Sequence, residues 1–118
     1  IVESVGSPWL GVTYDSGNAV RVGDDPVDGA RRLGRHVVAT HLKDLAPIKE
    51  ADPGFWASLA SVPIGEGIID VEGVVGALQS AGYDGLYAVE LDYLHPDWTD
   101  EFEAAAASIN RLRSVFGE

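Results

Sequence analysis

Three short apolar runs in the sequence each end in polar, reactive side chains. They cover residues 9–14, 37–42 and 86–91, and an aspartate, a His-Leu-Lys-Asp word and a glutamate stand at their respective ends. β-Branched and aromatic residues in runs of this length are typical of buried strands. We therefore predict three buried strands whose ends carry the chemistry of the protein.

Helical patterns follow these runs. Residues 26–34 begin with proline behind an aspartate cap, residues 71–82 follow a second aspartate cap and end at glycine, and residues 102–116 repeat apolar positions every three or four residues. Residues 45–62 are the least regular segment, with a single helical turn expected over residues 56–59. The predicted buried face of the last helix consists of Phe102, Ala105, Ala106, Ile109, Leu112 and Phe116.

The alternation of strands and helices predicts an α/β fold with a parallel sheet. Parallel neighbours need crossover connections, and the carboxyl ends of their strands meet at one edge, where ligands bind. Asp15, His41 and Glu90 all fall at these ends. Two carboxylates and an imidazole could hold a divalent cation such as Mn, Mg, Co or Zn.

The spacing leaves structural alternatives open for these residues. His41 could be a core histidine bonded to backbone, and Asp15 could cap the turn at residues 17–18. Glu90 has no comparable structural explanation, because an unpaired carboxylate beside an apolar strand is costly to bury. Lys43 could neutralise Asp44 or a ligand carboxylate, or it could contact a substrate.

Composition narrows the class of protein. The 118 residues suffice for one domain, and a net charge of −11, from 19 acidic against 8 basic side chains, disfavours nucleic acid as a partner. The absence of cysteine excludes disulfides and thiolate metal sites. No apolar stretch is long enough to span a bilayer, so no membrane partner is expected, and we predict a cytoplasmic protein. Residues 1–6 read as the end of a helix, and methionine is absent, so we expect the chain to be the C-terminal part of a longer protein.

Four segments resemble, in order and spacing, the C-terminal part of the sugar phosphate isomerase/epimerase family of xylose isomerase-like TIM barrels. They are residues 9–18, 38–44, 63–70 and 82–90. The resemblance implies that residues 1–118 form about three parallel βα units of a (β/α)8 barrel. The open edges of such a partial domain would be covered by a missing N-terminal barrel portion or by another copy in a homo-oligomer.

The resemblance also implies a metal site. The family holds its cation with a glutamate, an aspartate, a histidine and a second glutamate, of which the last three match Asp15, His41 and Glu90. The first glutamate would precede the start of this sequence. Asn18 falls at a position near the substrate, and Lys43 belongs to the family's His-x-Lys-Asp word, so we expect both to bind substrate.

The implied reaction is a metal-dependent isomerisation or epimerisation of a ketose or related sugar, which could be phosphorylated. The metal would polarise the substrate oxygens, and Glu90 would act as a catalytic group that moves a proton beside the carbonyl. One alternative is a non-catalytic module that binds a sugar or a partner. Another is the abasic-site endonuclease branch, which the charge of −11 and the single candidate histidine disfavour.

Overall fold

A computed structural model describes all residues, from 1 to 118, as strands alternating with helices. No helix is both long enough and apolar enough to cross a membrane. Two 3-10 turns lie at Gly34–His36 and Trp56–Ser58. In chain order the elements are α1 (Val2–Val5), β1 (Val12–Asp15), α2 (Ser16–Arg21), α3 (Pro26–Leu33), β2 (Val37–Leu42), β3 (Asp44–Pro47), β4 (Leu59–Val62), α4 (Val71–Ser80), β5 (Tyr87–Val89) and α5 (Glu101–Val115).

The main sheet is parallel, as predicted. Its strands follow the order β1-β2-β5, so β2 lies in the centre. Asp15 lies opposite His41 in the first pair, and His41 lies opposite Ala88 in the second. This register brings the carboxyl ends of the three strands to one edge.

The two outer strands are shorter than predicted. Trp9 is 95% exposed and Leu86 is 89% exposed, and both lie outside the sheet. Leu10 donates its backbone N–H to the carbonyl of Ser7, so the chain turns before β1 begins. The carbonyl of Leu86 accepts hydrogen bonds from the hydroxyls of Thr40 and Tyr83 and is not paired with backbone. A backbone turn therefore precedes β1, and side-chain hydroxyls replace the sheet ladder at Leu86.

The segment predicted to be irregular contains a β-hairpin. Strands β3 and β4 pair antiparallel, with Asp44 opposite Val62 and Pro47 opposite Leu59. The predicted helical turn is present as the short 3-10 turn that leads into β4. Proline within the segment obscured the strand pattern, because proline cannot donate to a sheet ladder and is tolerated only at strand ends and edges.

Helix α5 buries a different face from the one predicted. Ala104 and Ser108 are buried together with Leu112, whereas Phe102 is 80% exposed and Ile109 is 46% exposed. The hydroxyl of Ser108 accepts a hydrogen bond from the backbone N–H of Ile64 and donates one to the carbonyl of Ala104. Small side chains allow this close approach of helix and loop. The buried face of α5 is therefore decided by how closely the helix packs and not by which of its side chains are largest.

The hydrophobic core lies between the sheet and helices α3 and α4. Leu42, Leu45, Val74 and Leu78 are among its fully buried side chains. Helix α4 forms where the sequence predicts it, and one of its faces contributes four residues to the core cluster: Val71, Val74, Val75 and Leu78.

Asp44 organises the glycine-rich loop between β4 and α4. Its side chain is buried, and its two oxygens accept hydrogen bonds from four backbone N–H groups. Leu45 and Ile69 donate to Oδ1, and Gly65 and Gly67 donate to Oδ2, at 2.9–3.0 Å. The charge of Asp44 is thus balanced by peptide dipoles, and the loop is fixed against the first residue of β3.

Substitution of Gly67 should break this arrangement. A Cβ atom at Gly67 would overlap Oδ1 of Asp44 and the carbonyl of Leu45, so we expect Gly67→Ala to lower the free energy of unfolding by roughly 1–3 kcal/mol. Gly76→Ala is the matched control, because nothing lies within 4 Å of its added Cβ in the middle of α4. The control should gain about 0.5–1 kcal/mol. Urea denaturation measures the free energy of unfolding of both variants. Equal unfolding midpoints for Gly67→Ala and Gly76→Ala would contradict the role given to Asp44.

Candidate metal centre

The three parallel strand ends bring Asp15, His41 and Glu90 together. Each offers one ligand atom, and these atoms lie within 4.8 Å of one another. Nδ1 of His41 is 2.7 Å from Oε2 of Glu90 and 3.8 Å from Oδ2 of Asp15. The backbone N–H of Glu90 donates to the carbonyl of Leu42, which extends the pairing of β5 with β2 by one residue. The main-chain register therefore positions all three side chains.

His41 is not a core histidine. Its side chain is 46% exposed and forms no hydrogen bond to backbone, so that structural alternative is wrong. Its two carboxylate neighbours lie on the adjacent strand ends, and its ring faces the carboxyl edge of the sheet.

Asp15 divides its two oxygens between two tasks. Oδ1 accepts the backbone N–H of Asn18 at 2.8 Å and caps helix α2, which replaces the simple turn expected from the sequence. Oδ2 lies 3.1 Å from Nζ of Lys43, on the side of the His41 ring. The capping role is confirmed, and it leaves the second oxygen directed at the site.

Glu90 contains an oxygen without a hydrogen-bond partner. Its Oε2 is buried and accepts no hydrogen bond, although His41 and Lys43 lie close to it. Buried carboxylate oxygens are normally paired, because leaving one unpaired costs free energy. An oxygen of this kind beside an imidazole and a second carboxylate fits the ligand set of a divalent cation.

Lys43 lies beneath the three candidate ligands. Its side chain is only 4% exposed, and its Nζ lies 2.9 Å from Asp92, 3.1 Å from Asp15 and 3.3 Å from Glu90. Burial alone would lower the pKa of Lys43, but its hydrogen bond to Asp92 and the nearby carboxylate of Asp15 outweigh burial and raise the pKa above its ordinary value. Lys43 therefore neutralises the carboxylates of the candidate site and not its sequence neighbour Asp44. Its contact with a substrate stays a prediction.

Asp92 joins the site to the rest of the fold. Its carboxylate accepts hydrogen bonds from Lys43, from Arg21 at 2.6 and 3.2 Å and from Ser61 at 2.8 Å. Burial would raise the pKa of Asp92, but these donors, led by Arg21, hold it well below its ordinary value. Asp92 stands two residues after Glu90, and this spacing is the only feature of the sequence that indicates its position at the site. No feature of the sequence indicates that Arg21 lies there.

An aromatic cluster flanks this network. The guanidinium of Arg21 lies 5.2 Å from the ring centroid of Trp56, whose neighbours are Phe55 and Tyr93. Asn18 is exposed in the first turn of α2, where its side-chain oxygen is 3.5 Å from Nη1 of Arg21. Asn18 thus lies one helical turn after Asp15, to which its backbone N–H is bonded. Its contact with a substrate stays a prediction.

Comparison with known proteins identifies the fold family. The sequence profile of the xylose isomerase-like TIM barrel matches residues 1–115. This chain belongs to that family. The structure superposes on a xylose isomerase domain protein from Planctomyces limnophilus with a TM-score of 0.71 and 26% identity, covering 97% of this chain and 38% of the other. The predicted fold class, part of a xylose isomerase-like TIM barrel, is confirmed.

Two bacterial proteins are similar in sequence to this xylose isomerase-like chain. It is 32% identical over 112 residues to SgbU of Escherichia coli K12, covering 94% of this chain and 36% of SgbU. It is 31% identical over 108 residues to the L-ribulose-5-phosphate 3-epimerase UlaE of Salmonella paratyphi C, covering 91% of this chain and 32% of UlaE. The chain thus spans about a third of the length of these relatives.

Asp92 should make the stability of the protein sensitive to acid. Its folded pKa lies below the unfolded value of about 3.9, so its contribution to the free energy of unfolding is complete above that pH and is lost as the pH falls below it. We expect Asp92→Asn to lower stability at pH 7 and to flatten the loss of stability below about pH 4. Urea unfolding at a series of pH values measures this slope.

Asp97→Asn provides the control for the acid experiment. The Asp97 side chain is 86% exposed and contacts only the ring of His95, so this variant should keep the pH slope of the unsubstituted protein. If Asp92→Asn and Asp97→Asn give the same slope, the ion pairs of Asp92 do not stabilise the fold.

Proposed function

We propose that the protein carrying this chain is a metal-dependent epimerase or isomerase of a small sugar. The observation that supports it is the cluster of ligand atoms from Asp15, His41 and Glu90 at the carboxyl edge of the parallel sheet. Ligands bind at this edge in TIM barrels. Membership of the xylose isomerase-like family and similarity to the epimerase UlaE support this reaction class.

The three side chains would hold a divalent cation such as Mn, Co, Mg or Zn. The two carboxylates suit Mg and Mn, and the imidazole suits Zn. A bound cation would polarise the carbonyl and the adjacent hydroxyl of a sugar and so make the neighbouring C–H more acidic.

Glu90 is the proposed proton-transfer group. Its side chain is 35% exposed at the carboxyl edge of the sheet, where a bound sugar would lie. A carboxylate within reach of the carbon beside a carbonyl can remove its proton and allow the proton to return on the other face or at the neighbouring carbon. Return on the other face is epimerisation, and return at the neighbouring carbon is isomerisation.

The proposed substrate is a ketose or a related polyol. UlaE is named for L-ribulose 5-phosphate, which makes this sugar phosphate the first substrate to test. Asn18 and Lys43 are proposed to contact the substrate, Asn18 through its exposed amide and Lys43 through its ammonium beside Asp15 and Glu90.

Replacement of Glu90 tests the proton transfer. We expect Glu90→Gln to reduce kcat for epimerisation by roughly 10²–10⁴-fold, because the amide cannot accept the substrate proton. Chemical analysis of the C3 epimers after incubation with L-ribulose 5-phosphate measures the rate. Glu103→Gln makes the same change on the exposed surface of α5 and should leave the rate unaltered. Turnover that survives complete chelation would rule out the metal mechanism, and sugar binding without turnover would favour a non-catalytic module.

Replacement of Asp15 separates its two tasks. Asparagine caps helices as well as aspartate does, so Asp15→Asn should keep the stability of α2 but weaken the binding of Mn²⁺. Asp15→Ala should weaken Mn²⁺ binding too and should also cost about 1 kcal/mol of stability, because the cap is lost. Calorimetric titration with MnCl₂ and urea unfolding measure the two effects.

The control for Asp15 is Asp25→Asn, because Asp25 caps α3 in the same way, through the N–H of Asp28. This variant should retain both stability and Mn²⁺ affinity. Unchanged Mn²⁺ affinity in Asp15→Asn would exclude Asp15 as a ligand.

A further inference from the structure

The ammonium of Lys43 competes for the oxygens that the proposed cation would need. Nζ of Lys43 lies 3.1 Å from Oδ2 of Asp15 and 3.3 Å from Oε2 of Glu90. These are the same two oxygens that face Nδ1 of His41. A cation bound between these three residues would therefore be a close neighbour of a buried positive charge.

Asp92 offers this ammonium a third and closer partner. Oδ2 of Asp92 is 2.9 Å from Nζ of Lys43, a shorter distance than either candidate ligand provides. Only at Asp92 does the contact have the geometry of a hydrogen bond. The ammonium thus donates its hydrogen bond to Asp92, while it remains within 3.3 Å of the two oxygens that face His41.

Asp92 is itself held in place by two other elements. Arg21 of α2 donates to both of its oxygens, and Ser61 of β4 donates to Oδ1. Arg21 also donates to the carbonyl of Leu59 and lies against the ring of Trp56. A carboxylate fixed from two sides can hold Lys43 in a set position, because it cannot follow the ammonium toward the ligands.

We propose that Asp92 is a positioning residue, which accepts the hydrogen bond of the Lys43 ammonium and so leaves the oxygens of Asp15 and Glu90 available to a divalent cation. This inference rests on the proposed function. Asp15, Glu90 and Asp92 carry three negative charges against the two positive charges of Lys43 and Arg21, so the site keeps one net negative charge to attract a cation. Without Asp92 this charge is lost, and Lys43 has only the candidate ligands as partners.

A double-mutant cycle distinguishes positioning from simple charge. We expect Asp92→Asn to weaken Mn²⁺ binding by roughly 10–100-fold, the usual effect of residues that orient metal ligands. In a Lys43→Met background, where no ammonium competes, the same substitution should have a distinctly smaller effect. Calorimetric titration with MnCl₂ gives the four affinities. Equal factors in the two backgrounds would mean that Asp92 acts through its charge alone and would overturn the proposal.

Asp97→Asn is the matched control for this cycle. It removes one negative charge from the same stretch of chain, but its side chain is 86% exposed and does not contact Lys43. Mn²⁺ affinity should stay within the error of the unsubstituted protein. A loss as large as that of Asp92→Asn would overturn the positioning role.

A second measurement can be made without metal and without replacing Lys43. A buried, hydrogen-bonded ammonium exchanges its protons slowly, so the side-chain amino group of Lys43 should give a resolved signal in ¹H–¹⁵N NMR spectra of the metal-free protein. Asp92→Asn should shift or abolish this signal, and Asp97→Asn should not. An unaltered signal in Asp92→Asn would overturn the inference. Failure of the unsubstituted protein to bind Mn²⁺ would overturn the proposed function, whereas the NMR signal still decides whether Asp92 holds Lys43.

Discussion

The buried ammonium of Lys43 holds the carboxyl edge of the sheet together. It contacts three carboxylates from two parts of the chain, Asp15 at the end of β1 and Glu90 and Asp92 after β5, while its own main chain continues β2. Three carboxylates at these distances would repel one another without it. Each of them is within 3.3 Å of its Nζ, so one side chain makes the clustering of acids at this edge physically possible.

The adjacent residues Lys43 and Asp44 stabilise two different parts of the structure. Lys43 points to the carboxyl edge and balances its charge with carboxylates, whereas Asp44 points into the protein and balances its charge with four backbone N–H groups. Successive side chains of an extended chain lie on opposite sides, which explains why adjacent ions do not pair. The candidate site and the glycine-rich loop are therefore both anchored on two adjacent residues, Lys43 and Asp44. We expect a structural change in one of them to alter the other.

The sequence was informative where main-chain geometry alone decides position. Asp15, His41 and Glu90 were found because parallel strands must end at the same edge, and that rule needs no knowledge of packing. Arg21 and Asp92 are 71 residues apart, and only the tertiary fold brings them together. The buried face of α5 was mispredicted for a related reason: Ser108 is buried by its hydrogen bond to Ile64, which hydrophobicity cannot reveal. The hairpin at residues 44–62 was missed because prolines interrupt its pattern.

The candidate site and an open edge of the sheet occur at the same place. Strand β1 pairs with β2 on one side only, and Asp15 is its last residue. A strand added beside β1 in a barrel would end next to Asp15, where a further side chain could reach the cation. The three candidate ligands thus follow neighbouring strands of the sheet, and Asp15 is the one beside the open edge of β1. The same added strand would pair the free N–H and C=O groups of β1, so one element would extend both the sheet and the rim of the candidate site.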